Sequence, residues 1–271
     1  MTDRFRRFAA TSLALAFIAG CDRVPGVPKR STGAKSNSTT NAKVDAPANS
    51  SIDLSLGTAY SATALSSVGS VAGSLRIIDS ASFDDSAAAH VVECSPKGRR
   101  PTPLPPAKQF GNTVVWIANA KSGKAMPIDK RAELSSDNCL LDPRVQAVVV
   151  GTTVSVINDD KVLHKLVFTK FGTHDTLTAT PFFNSGQIVA TERLAKTPGI
   201  VEVTCVQHPW ERGFIAVFDQ PYFAVTEDNG SFRIDSLPPG SYKVMVWHEG
   251  LAKPTEQQVQ VAAGGTATLA R

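Results

Sequence analysis

The sequence is short of several things that define whole protein classes. No apolar run reaches the roughly 18 residues that a membrane-spanning helix needs, which excludes a polytopic membrane protein; the longest such stretch ends near residue 20. Cysteine is scarce, with 4 in 271 residues, and no zinc-ribbon pair of C-x-x-C motifs occurs. A small disulfide-stapled scaffold is excluded with it. Net charge is low, +4 at pH 7, and part of that comes from Arg4, Arg6 and Arg7, so the charge gives no footing for a nucleic-acid partner. Walker loop, dinucleotide fingerprint, nucleophile elbow and H-E-x-x-H helix are all missing, which leaves a nucleotide-dependent enzyme or a hydrolase without support. What the chain does have is 42% hydrophobic residues, enough for the core of one large or two small domains.

Arg4, Arg6 and Arg7 precede an apolar stretch, and Ile18-Ala19-Gly20-Cys21 then sets small residues before a cysteine. This resembles a bacterial lipoprotein signal peptide with its lipobox. The resemblance implies cleavage of residues 1–20, acylation of Cys21, and a protein held to a membrane by lipid, facing the periplasm from the inner or the outer membrane. A plainer alternative is an ordinary secretory signal followed by a chance cysteine. Residues 21–67 begin with a Ser-, Thr-, Asn-, Lys- and Pro-rich segment without apolar periodicity, and are expected to be the lipidated Cys plus a flexible tether.

Beyond residue 68 the chain is a succession of short, Val-rich alternating runs punctuated by Gly, Pro, Asn and Asp. Period-two alternation is what a half-buried strand requires, so the expectation is an all-β protein of β-sandwiches. The clearest strands are read at 70–78, 113–118, 145–150, 153–158, 162–168, 199–205, 213–219, 223–226, 231–234 and 242–247; the proline-rich stretch at 95–111 reads as an irregular loop. Near the C-terminus, Thr226-Glu-Asp-Asn-Gly230, Ser231-Phe-Arg-Ile234, Leu237-Pro-Pro-Gly240 and Tyr242 to Trp247 alternate turn and strand. This resembles the carboxypeptidase-regulatory-like, transthyretin-type sandwich. In that family a strand pair like Gly69-Ser-Val-Ala-Gly73 and Thr113-Val-Val-Trp-Ile117 comes just before these parts, whereas here a long segment intervenes. One sandwich built from 68–124 and 219–271, with a second domain at 125–218 inserted, accounts for this; domains strictly in series would leave the last fifty or so residues too short for a core of their own.

Within the intervening segment, His164, Cys205 and His208 have the character of metal ligands, the last two in Thr204-Cys205-Val-Gln-His208-Pro-Trp210. A thiolate with two imidazoles suits copper, because soft sulfur stabilises Cu(I) while imidazole serves both oxidation states. The pattern, with Gly151-Thr-Thr-Val-Ser-Val-Ile-Asn158 ahead of it, resembles the plastocyanin-like cupredoxins, and the combined architecture resembles proteins grouped with methylamine utilisation. The resemblance implies one mononuclear copper held by His164, Cys205 and His208. Two departures follow. No Met stands shortly after His208, where Glu211 offers an oxygen instead, as in the red-copper relatives of that fold; and Lys165 replaces the Asn that many cupredoxins carry after the first His. A buried core thiol with bystander histidines is the plain alternative for these residues.

With Cys21 acylated, Cys94 and Cys139 are the natural disulfide partners; a Cys139–Cys205 bond is the competing pairing and would abolish the site. Asp159 and Asp160 read as solvated turn carboxylates, and His90, His174 and His248 as bystanders. Two functions compete. One is a membrane-tethered electron carrier, not an enzyme, exchanging electrons with a redox protein such as a cytochrome or dehydrogenase. The other is a non-redox binding or structural lipoprotein with a metal-free or copper-holding domain.

Overall fold

The alternating strands form the walls of two sandwiches. In this computed structural model the described residues are 56–76, 111–173, 175–251 and 253–270, all within one compact unit spanning Asn49–Arg271. The lipobox, Cys21, Cys94, His90, His174 and the tether up to residue 55 lie outside them. The protein is all-β: among the described residues the helical content is one 3-10 turn at Arg193–Ala195, and no helix is long and apolar enough to cross a membrane.

In chain order the strands are β1 (Ser61–Ala62), β2 (Gly69–Ser74), β3 (Val114–Ile117), β4 (Ser122–Gly123), β5 (Arg131–Asp137), β6 (Leu140–Asp142), β7 (Val145–Val149), β8 (Thr153–Asn158) and β9 (His164–Lys170). They continue with β10 (Thr176–Phe182), β11 (Gln187–Thr191), β12 (Gly199–Cys205), β13 (Arg212–Phe218), β14 (Phe223–Val225), β15 (Ser231–Leu237), β16 (Gly240–Trp247), β17 (Thr255–Val261) and β18 (Thr266–Ala270). Sheet β10-β9-β12-β13-β7 faces sheet β11-β8-β5-β6. Their shared core takes Leu134, Val154, Val156, Leu166, Phe168, Val201, Val203, Ile215 and Val217. The second sandwich pairs β14-β3-β16-β17 with β15-β2-β18. Here β2 and β3, from before the first sandwich, take their partners from after it: β2 runs antiparallel to β15 and parallel to β18, and β3 lies antiparallel to β14 and β16.

β13 explains why one run in the sequence does not alternate. Ile215 and Val217 point into the first core, while Phe214, Ala216 and Phe218 point the other way, against Val114, Trp116 and Trp247 of the second sandwich. A strand covered on both faces reads as continuously apolar. Residues 56–62, expected to belong to the tether, are part of the packed body: Leu56 is buried in this second layer, Thr58 N–H donates to both oxygens of Asp219 at 2.9 and 2.7 Å, and β1 pairs with β4.

Candidate metal centre

The alternation that builds the first core also aims the ligand candidates. On β9, His164, Leu166 and Phe168 face inward, and on β12, Val201, Val203 and Cys205 do. The two strands are antiparallel with Cys205 opposite Leu166, so the thiol and the His164 imidazole meet at one end of the sheet. Residues 206–210 then turn the chain back into β13. Within that turn Glu211 N–H donates to the His208 carbonyl at 2.9 Å, and Cys205 N–H donates to the Glu211 carbonyl at 3.1 Å. The hairpin thereby returns both His208 and Glu211 to the thiol.

His164, Cys205, His208 and Glu211 are all buried, with ligand atoms within 4.8 Å of one another. His164 Nδ1 lies 3.2 Å from His208 Nδ1, 3.7 Å from Cys205 Sγ and 2.8 Å from Glu211 Oε2. His208 Nδ1 lies 3.5 Å from Cys205 Sγ and 3.5 Å from Glu211 Oε2. A tetrahedron with metal–ligand bonds of about 2.0–2.3 Å has edges of about 3.3–3.7 Å. Most of these separations fall near that range, and the short His164–Glu211 edge is a hydrogen bond. The donor set of one thiolate, two imidazoles and a carboxylate therefore fits a single copper ion in both chemistry and spacing.

Further residues hold the ligands in place, and of these the sequence alone points only to Asn158. Asp160, read as a solvated turn acid, is instead 3% exposed. Its Oδ2 sits 3.1 Å from His164 Nε2, and its two oxygens accept the N–H groups of Asn138 and Cys139 at 2.8 and 2.9 Å. Those two residues form the β5–β6 turn, both at positive φ, 55° and 53°, the conformation of a tight two-residue hairpin. Ser136, inward-facing on β5, donates a short hydrogen bond to Glu211 Oε1. Asn158 accepts the Asp160 N–H at 3.0 Å and donates to the Val162 and Asn184 carbonyls, fixing the loop that leads to His164. Gln207 ties the two ligand segments together: its Oε1 accepts the Lys165 N–H at 2.7 Å.

These partners set the charge of the metal-free site. Burial alone would pull the His164 imidazole down, but hydrogen bonds to Asp160, Cys205 and Glu211 outweigh it and push the pKa up to about 11. Each ring nitrogen then donates to a carboxylate. His208 moves the other way, lowered by burial and by the charge on His164 against the pull of Glu211.

Of the cysteines, Cys205 carries a free thiol and Cys139 is disulfide-bonded, so the competing Cys139–Cys205 pairing does not occur. Cys139 lies near Asp160 and His164, but its sulfur is already in a disulfide and is no thiolate ligand. Met245 packs in the layer between the sandwiches. His248 is buried at the end of β16, where its Nδ1 accepts the Gly250 N–H at 3.1 Å.

Solved structures similar to this chain include the purple cupredoxin from Nitrosopumilus maritimus, at 24% identity and TM-score 0.28, covering 32% of this chain and 98% of that one. Amicyanin from Paracoccus versutus matches at 22% identity and TM-score 0.28, covering 34% and 83%. The copper-containing nitrite reductase of Thermus scotoductus matches at 23% identity and TM-score 0.29, covering 44% of this chain and 28% of that one. Among curated protein sequences none matches. Residues 211–270 match the carboxypeptidase regulatory-like domain family, a span that opens at Glu211 and takes in β13 to β18.

Proposed function

We propose that the protein is a membrane-tethered, periplasmic copper protein that carries electrons through a mononuclear centre held by His164, Cys205, His208 and Glu211. The observation that carries the reading is the convergence of those four buried side chains at the end of one sandwich. Copper bound there would supply a one-electron couple, with the thiolate favouring Cu(I) and the carboxylate favouring Cu(II). The chain contributes exclusion of water, since all four groups are buried, and orientation through Asp160, Ser136 and Gln207. A redox protein, such as a cytochrome or dehydrogenase, is the partner proposed. Leu163, Phe183 and Val206, exposed apolar residues adjoining the ligand strands, offer it a contact surface. Tethering rests on the lipobox before Cys21.

Elemental analysis and a visible spectrum of the purified chain test the centre. The expected result is one copper per chain and a thiolate-to-copper band that cycles with reductant and disappears in Cys205→Ser. A chain that takes up no copper while keeping a titratable Cys205 thiol refutes electron transfer and leaves a binding or structural lipoprotein. Fatty-acid labelling that persists in Cys21→Ser refutes the anchor.

A further inference from the structure

An ion pair joins the second sandwich to Arg144, which is in turn hydrogen-bonded to the strand that follows Glu211. Arg144 stands just ahead of β7. Its Nε and Nη2 donate to Glu249 Oε1 and Oε2 at 2.7 and 2.8 Å, and Glu249 lies just after β16. The side chains are only 23% and 9% exposed, so this bidentate pair is partly withdrawn from water, where it is stronger and more directional than a surface pair. The same guanidinium uses Nη1 to donate to the Arg212 carbonyl at 3.1 Å, and the Arg144 carbonyl accepts the Phe214 N–H at 2.8 Å. Arg144 thus grips 212 and 214 from side chain and backbone together. Gly213 between them permits this close approach: an added Cβ there would come within 2.8 Å of the Arg144 carbonyl oxygen.

Arg212 is the residue directly after Glu211, whose peptide is bonded to Cys205 on one side and His208 on the other. Any shift of the backbone at 212 is therefore passed to three of the four ligand candidates. The exposed Lys243–Glu256 pair has no such connection among the described residues.

We propose that Glu249 is a positioning residue for the metal centre, fixing through Arg144 the backbone that presents Glu211, so that the second sandwich tunes a site it does not supply with ligands. The inference rests on the copper reading above. Glu249→Gln keeps the shape and removes the charge, and Arg144→Lys keeps the charge and removes the two-pronged geometry.

In the full chain, both variants are expected to weaken copper binding about 10-fold, the low end of the range for loss of a group bonded directly to a ligand, since Glu249 acts one step further out. Both should also shift the Cu(II) visible and electron paramagnetic resonance spectra, with the double variant no worse than either single one. In the metal-free chain, amide hydrogen exchange at Cys205 should quicken in both. Lys243→Gln, which breaks the exposed pair, should change none of these. Variants that lose thermal stability but keep wild-type affinity, spectra and Cys205 exchange overturn the proposal and leave a structural salt bridge. If wild-type chain takes no copper, the copper reading falls separately; Cys205 exchange then decides, and exchange unchanged in Glu249→Gln overturns the positioning role.

Discussion

Asp160 Oδ2 lies 3.1 Å from His164 Nε2, while the other nitrogen of the same ring faces Glu211, Cys205 and His208. The carboxylate is itself held by the N–H groups of Asn138 and Cys139, so it fixes the plane of the imidazole from a rigid turn. Asp160→Asn should keep most of this geometry while weakening the charge-assisted bond. The expected loss is about 10–100-fold in copper affinity, read by competition with a chelator. A variant with wild-type affinity shows that the ring is held by its other contacts.

The two histidines should be shifted in opposite directions from the ordinary imidazole pKa in the metal-free chain. His164, raised from 6.5 to about 11, gives stability that is fully present below pH 6.5 and lost as pH climbs through 11. His208 is lowered, so it resists the charge that acid brings, and its contribution is lost as pH falls below 6.5. The melting temperature of metal-free protein should therefore decline towards both ends, with NMR showing His164 still cationic at about pH 9 and His208 neutral at pH 7. Metal must displace the His164 proton, so copper loading should release acid, measurable in a pH-stat. Loading without proton release contradicts this.

Glu211 can be probed through the electronics of the centre. Its carboxylate is fully buried between Ser136 and His164. Glu211→Met puts a long, soft thioether where a hard oxygen stood, and should raise the reduction potential and move the spectrum towards the blue type. An unchanged potential and spectrum mean that Glu211 does not reach the metal.

How far the sequence spoke depended on how many faces of a segment are covered. Residues 153–158 alternate cleanly, since one face meets the core and the other is left half open; residues 199–205 alternate from Val201 onward, with Ile200 buried on the opposite face, and both strands were legible to the residue. β10 was not: it is an edge strand, where the repeated Thr and Pro181 are tolerated and dilute the pattern. β17 hid for a related reason, its outward positions being Glu and Gln and only Val261 being fully buried. In the site, Cys205 and His208 are marked by their own chemistry and close spacing. Ser136 is an ordinary residue made functional by a contact 75 positions away in the chain, and Asp160, only four residues before His164, is anchored by a turn 21 positions before it, which no local pattern encodes.

Trp247 offers a test of how the two sandwiches hold together. It is fully buried and comes from the second sandwich, yet its ring packs edge-on to Phe171 and Phe214 of the first, with centroids 5.5 and 5.2 Å apart. Its indole nitrogen has no hydrogen-bond partner, so shape and apolar area are its whole contribution. Trp247→Ala should cost about 3–5 kcal/mol through lost burial and the cavity left behind. The wild-type chain is expected to unfold in one transition, and because the loss falls between the two cores, Trp247→Ala should split it into two. Trp247→Phe keeps the aromatic contacts and removes an unsatisfied buried donor, which offsets part of the volume lost, so it should cost clearly less and keep one transition. Calorimetry on the metal-free chain separates the outcomes. Equal losses in the two variants, or a single transition in Trp247→Ala, contradict an interface held by aromatic packing.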